Sequence, residues 1–212
     1  MIAIIDYKAG NLTSVQRALD FLGQDSLITC NDSEVLEAER IIFPGVGAAG
    51  KAMSDLERLR LDQALLDSFG EGKPILGICL GTQIIMEWSQ EDNTPCLGLI
   101  KGEVLRFPQD MAGPEGRKLK VPHMGWNRVG LTRGHPLFDG IHPESEFYFV
   151  HSFYPSPTHS EEVLGETVYG IRFPSVLTVK NLVAVQFHLE KSGNPGLNIL
   201  ANFCRWSGAG DA

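Results

Sequence analysis

Cys79 stands in Ile75-Leu-Gly77-Ile-Cys79-Leu-Gly81-Thr-Gln83, an apolar run that opens into G-x-C-x-G. A cysteine attacks as its thiolate, so its surroundings decide whether it is reactive. Glycines two residues before and after it suit a tight strand-to-helix turn, where a side chain would clash. The turn would hold the thiol over the start of the next helix, whose positive end favours the thiolate. A buried structural cysteine at a strand end explains the same pattern, and a lone G-x-C-x-G matches by chance.

The second chemical segment is Val183-Ala-Val-Gln186-Phe-His188-Leu-Glu190-Lys191-Ser192. Residues i and i+2 of an extended chain share a face. Glu190 could then accept a hydrogen bond from His188, fix its tautomer and stabilise the imidazolium. His188 could take the proton of Cys79, completing a nucleophile, base and orienter. An incidental H-x-E at an exposed strand end is the alternative. A metal site would need third and fourth ligands, and none groups clearly with this pair. For most of the other five histidines (His123, His135, His142, His151, His159) a surface or structural role is expected.

These segments need a scaffold. Ile2 to Ile5 is a β-branched run that fits a buried parallel strand. Leu12 to Leu22 carries apolar residues at helical spacing, stopped by Gly23. Further strands are expected at Ser26 to Thr29, Arg40 to Phe43 and Ile75 to Ile78. Helices are expected at Glu34 to Glu39, Ala48 to Glu71 (one or two) and Gly81 to Trp88, with Asp55, Glu57, Arg58 and Arg60 forming a solvated face. This alternation implies an α/β fold with a mostly parallel sheet.

The second half reads as short strands at Leu99 to Phe107, Trp126 to Leu131, Phe147 to Tyr154 and Leu182 to Phe187. Met111 to Lys120 reads as an exposed, mobile loop. Leu197 to Trp206 is a closing helix, and Gly208 to Ala212 a frayed tail. No linker or repeat divides residues 1–212, so one domain is expected.

Composition sets outer limits. The 212 residues suit one sizeable core. The formal net charge of -8 argues against a general nucleic-acid binder. No apolar run is long enough to span a bilayer, and the N-terminus lacks the features of a signal peptide. Four scattered cysteines without a C-x-x-C suit free thiols in a reducing cytoplasm.

With G-x-C-x-G and H-x-E in this order, the chain resembles the class I (triad-type) glutamine amidotransferases over nearly its whole length. Within that family it is most similar to the glutaminase subunits of imidazole glycerol phosphate synthase, from histidine biosynthesis. The broad class is carried by Pro44-Gly45-Val46-Gly47, the Cys79 elbow and the His188 segment. The narrower likeness is carried by Pro122-His-Met-Gly-Trp-Asn127 and Tyr148-Phe-Val-His-Ser-Phe-Tyr154, while Asp6-Tyr-Lys-Ala-Gly-Asn-Leu-Thr-Ser-Val15 resembles the family's opening and Tyr169-Gly170 with Asn181 complete the pattern. Two positions depart from the family pattern: Leu189 replaces its usual Pro, and Lys8 a more usual Gly.

The resemblance implies a three-layer, flavodoxin-like fold with extra antiparallel strands. It implies that Cys79, His188 and Glu190 are the catalytic triad. The oxyanion donors would come from Leu80 and from Gly45, Val46 and Gly47. Gln83 would contact the substrate glutamine, as would His151, Ser152 and Phe153 through backbone. No cofactor or metal is implied, and neither nucleic acid nor membrane is a partner. The expected partner is a (β/α)8-barrel cyclase subunit that receives the ammonia, with activity low until it docks. A paralogue serving another synthase, such as one acting on nucleotide sugars, stays open as an alternative. So does a cysteine hydrolase or peptidase.

Overall fold

The computed structural model describes residues 1–8, 10–113 and 116–208. Strands β1 (Ile2–Ile5), β2 (Ser26–Thr29), β3 (Arg40–Gly45) and β4 (Ile75–Cys79) alternate with helices. The helices are α1 (Leu12–Phe21), α2 (Asp32–Glu37), α3 (Ala49–Leu59) and α4 (Leu61–Gly70). The strands join an eight-stranded sheet ordered β2, β1, β3, β4, Leu182–Val185, Ile171–Val179, Val163–Tyr169, Gly130–Leu131. Pairing is parallel from β2 through Leu182–Val185 and antiparallel beyond it.

The parallel strands bury both faces, which is why β1 and β4 are continuous apolar runs. Ile4, Ile42 and Leu76 point to one core, with Val15 and Leu19 of α1 and Leu200 and Phe203 of the closing helix Gly193–Arg205. Ile5, Ile41, Phe43 and Ile75 point to the other, with Met53 and Leu56 of α3 and Leu65 of α4. The result is three layers, helices over both faces of the sheet. Ligand sites in such sheets lie beyond the carboxyl ends of the strands. Here β3, β4 and Leu182–Val185 are neighbours, and their ends deliver Gly45, Cys79 and Gln186-Phe-His188.

Several elements differ from the sequence reading. The expected helix over Gly81 to Trp88 is one turn, Leu80–Ile84, followed by strand Met86–Ser89. That strand pairs parallel to Ile100–Arg106 in a four-stranded sheet; a short apolar run does not distinguish the two states by periodicity. The Ala48 to Glu71 stretch, expected as one helix or two, is two, parted at Arg60 with φ 59°. Asp55 is not on a solvated face: it is 4% exposed and paired with Lys51 and Arg58, which lower its pKa. The second helix begins at Asp32, before the expected Glu34, because the Asn31 side chain accepts from the Ser33 N–H.

Phe147 to Tyr154 is two strands, Glu146–His151 and Phe153–Pro157, in different sheets. Met111 is buried, and an Ala112 to Lys118 bridge ties the surrounding loop; Pro114 and Glu115 of that loop lie outside the described residues. So do residues 209–212 of the expected tail.

The antiparallel hairpin Val163–Tyr169 with Ile171–Val179 was not expected. Gly165 lies at a register irregularity and Pro174 lies within the second strand. Both weaken a strand signal.

Candidate active site

Cys79 ends β4 with φ 54° and ψ -105°, a conformation that costs a non-glycine residue roughly 1–3 kcal/mol. Its neighbours enforce it. A Cβ on Gly81 would lie 1.9 Å from the Phe43 carbonyl oxygen, and one on Gly77 2.9 Å from the Ala184 Cβ. The helix that follows is one turn of five residues, so the local orphan N–H groups, not a long macrodipole, are what it offers the sulfur. The thiol faces a cavity of about 380 Å³ shared with His188.

His188 follows strand Leu182–Val185. Its N–H donates to the Tyr148 carbonyl at 2.9 Å, and its own carbonyl accepts from Ser192 Oγ at 2.6 Å. Ser192 Oγ in turn accepts from the Tyr148 N–H, tying the His188 backbone to strand Glu146–His151. The step to Glu190 is not the extended one expected. Leu189–Lys191 is a turn of 3-10 helix, and it brings Glu190 Oε1 to 2.7 Å from His188 Nδ1. Leu189, where a proline would stiffen an extended step, is buried in the core.

Asn11 Nδ2 donates to the same Oε1 of Glu190. Asn11 has φ 72°, a left-handed conformation that asparagine tolerates. Burial works to lower the pKa of His188, but its interactions with Cys79 and Glu190 prevail and push it up to about 10. His188 Nε2 has no hydrogen-bond partner among the described residues. It is the ring nitrogen left to hold the proton of the thiol.

Val46, Gly47 and Leu80 line the cavity on the other side of Cys79. Gly45 is placed differently: it pairs in register with Cys79 and lines a small gap behind it, with Asn11, His188 and Glu190. Only glycine fits there, because a Cβ would sit 1.7 Å from the Tyr7 hydroxyl. Burial, then the charge of Cys79, raises the Tyr7 pKa and keeps its phenol neutral.

Gln83, His151, Ser152 and Phe153 also line the cavity. Both nitrogens of His151 are engaged. Nδ1 lies 2.7 Å from the Phe153 carbonyl and Nε2 lies 2.9 Å from His123 Nδ1. The backbone of this stretch is what remains for a ligand.

Three residues of this region had no role in the sequence reading. Asn11 was only part of a motif, and its left-handed turn was the available signal. His123, expected to be a surface or structural histidine, is structural: it is buried and stacked between Phe149 and Tyr169. Glu91 lines the cavity, accepts from the Ala49 N–H at 2.8 Å and is raised in pKa by burial. A carboxylate in that wall can receive an ammonium group; nothing in its local sequence announces this.

A cysteine in a strained elbow, a histidine joined to a carboxylate, and a cavity beside both suit acyl transfer through a covalent intermediate. The family model for glutamine amidotransferase class-I matches residues 3–206. The chain belongs to the class I glutamine amidotransferases. The imidazole glycerol phosphate synthase subunit HisH of Nitratidesulfovibrio vulgaris (strain DP4) is 50% identical over 206 residues, 97% of this chain and 96% of that protein. HisH of Maridesulfovibrio salexigens is 52% identical over 204 residues, 96% of this chain and 95% of that one. Among solved structures, PurLQS from Thermotoga maritima superposes with a TM-score of 0.74 at 16% identity, covering 96% of this chain and 97% of that chain. At that identity the likeness speaks for the amidotransferase fold alone.

Proposed function

We propose that this chain is the glutaminase subunit of an imidazole glycerol phosphate synthase, acting in histidine biosynthesis as a single amidotransferase domain over residues 1–212. It hydrolyses glutamine to glutamate and ammonia. The observation that carries the reading is the His188–Glu190 contact of 2.7 Å at the cavity that holds the strained Cys79. Identity of about half across nearly the full length of the HisH proteins supports the pathway.

Cys79 Sγ, its proton already held on His188 Nε2, attacks the side-chain amide carbon of glutamine. The amide oxygen becomes an oxyanion, held by backbone N–H groups of Leu80 and of the Val46-Gly47 step, the part of the Pro44–Gly47 segment that lines the cavity. His188 returns the proton to the departing ammonia, leaving a thioester. Water, deprotonated by His188, hydrolyses it to glutamate and frees the thiol. Glu190, steadied by Asn11, orients His188 throughout. Glu91 accepts the substrate's α-ammonium, while Gln83 and the backbone of residues 151–153 hold its other polar groups.

The ammonia goes to a barrel-shaped cyclase partner in the cytoplasm. No helix among the described residues is long and apolar enough to cross a membrane. Met124 and Trp126, 62% and 54% exposed on strand His123–Arg128, offer an apolar face for docking.

The test is glutamate release by the full chain, with and without the cyclase and its nucleotide ligand. Turnover that rises with the cyclase and vanishes in Cys79→Ala is expected. Unaltered turnover in Cys79→Ala would sink the nucleophile assignment.

A further inference from the structure

Phe153 contributes a backbone carbonyl beside the cavity, and two polar arms meet on its oxygen. On one arm Gln83 Nε2 donates to the carbonyl at 3.0 Å and to Gln186 Oε1 at 3.1 Å. Gln186 Nε2 then lies 3.8 Å from Cys79 Sγ. On the other arm His151 Nδ1 lies 2.7 Å from the same oxygen, and its Nε2 lies 2.9 Å from His123 Nδ1. His123 Nε2 is 3.3 Å from Asn127 Nδ2, which also donates to the Val168 carbonyl.

A carbonyl oxygen only accepts, so the direction of every bond follows from it. Gln83 must turn its NH₂ to Phe153 and to Gln186. Gln186 must therefore turn its oxygen to Gln83 and its NH₂ to the sulfur. Likewise His151 carries its proton on Nδ1 and accepts at Nε2. His123 donates from Nδ1 and accepts from Asn127. Gln83, Gln186, His123 and His151 are all buried.

We propose that His123 and Gln186 are positioning residues for Cys79. They stand on a hydrogen-bonded chain, centred on the Phe153 carbonyl, that runs from Asn127 to the sulfur and fixes Gln186 Nε2 as a donor to it. A donor held against sulfur stabilises the thiolate relative to the thiol. His123 acts at a distance: it holds His151 in the tautomer that leaves the Phe153 carbonyl for two N–H donors. The inference rests on Cys79 being the nucleophile.

The polarity also constrains charge. The chain needs both histidines neutral, because a protonated His151 would face His123 with a second N–H. Burial, which pushes His123 down to about 4, agrees with this.

The experiment uses the full chain, with the cyclase for turnover and alone for chemistry at the thiol. Gln186→Met keeps the volume and removes the donor. It is expected to lower kcat about tenfold, the value of one hydrogen bond, with KM little changed. The rate of Cys79 alkylation by iodoacetamide, read on the Cys79 peptide by mass spectrometry, should fall with it.

At His123 two variants separate polarity from packing. His123→Phe keeps an aromatic ring for Phe149 and Tyr169 but loses both hydrogen bonds. His123→Asn keeps a donor near Nδ1 and loses the ring. Recovery of kcat and alkylation in Asn over Phe supports the proposal. The reverse order, or unchanged kcat and alkylation in Gln186→Met, overturns it. If one site's variants fail to fold, the other site decides. Cys79→Ala runs alongside: full turnover there removes the nucleophile reading itself, whereas a dead Cys79→Ala with unaffected Gln186 and His123 variants removes only this inference.

Discussion

His188 and His151 line one cavity, both nearly closed to solvent, and their rings are driven to opposite charge states. His188 meets the Glu190 carboxylate and the Cys79 thiol, and its pKa is pushed up to about 10. His151 meets a backbone carbonyl and the uncharged ring of His123, and burial pushes it down to about 3. Depth does not separate them. What separates them is a neighbouring anion, without which a buried imidazole stays neutral. The two environments suit different work: one ring exchanges protons, and the other passes on a fixed hydrogen-bond direction.

The most direct way to break the contrast is Glu190→Gln, which gives His188 a neutral partner like that of His151. With the tautomer no longer enforced and the imidazolium unsupported, kcat should fall on the order of 10³–10⁴-fold. KM should change little, since Glu190 does not line the main cavity. A loss of less than tenfold in steady-state glutamate release would show that the carboxylate is not what distinguishes the two histidines. Asn11→Ala is gentler, leaving Glu190 Oε1 with His188 as its one hydrogen-bond partner among those described. Here kcat should drop about tenfold, with a similar proportional loss at saturating and limiting glutamine. Unchanged turnover in a folded Asn11→Ala protein would remove Asn11 from the site.

The His188 side of this comparison was legible in the sequence; of the His151 side, only its place beside the cavity was, through the family resemblance. Cys79, His188 and Glu190 sit in short motifs whose spacing carries their chemistry, and the βα alternation before Cys79 is a local pattern. Even there the geometry had a surprise: His188 and Glu190 meet across a 3-10 turn and not along a strand. His123 and Gln186 gain their roles only through contacts between distant segments, such as Gln83 with Gln186. The hairpin 163–179 was obscured for a related reason. Gly165 and Pro174 oppose strand propensity locally, and pairing across the sheet overrides them. Asp55 looked like part of a charged face of α3, and it is the exposed Lys51 and Arg58 of the same helix, at i−4 and i+3, that cover and pair with it.

The smallest expected effect sharpens the contrast through stability. The raised pKa of His188 means that its ion pairing is fully present below about pH 6.5 and is lost as pH rises toward 10. His123 has the opposite sign. Its folded value of about 4 lies below the unfolded 6.5, so the unfolded chain takes up the proton first. Stability therefore falls as pH drops from 6.5 toward 4, and the cost is absent above that window. His123→Phe removes this contribution while leaving every carboxylate in place. Between pH 7.5 and 5.5 the wild-type chain should lose about 1 kcal/mol more than the variant, read from urea midpoints at each pH. Parallel losses in the two proteins would mean that His123 is charged in the folded state, and a charged His123 has no lone pair to accept from Asn127.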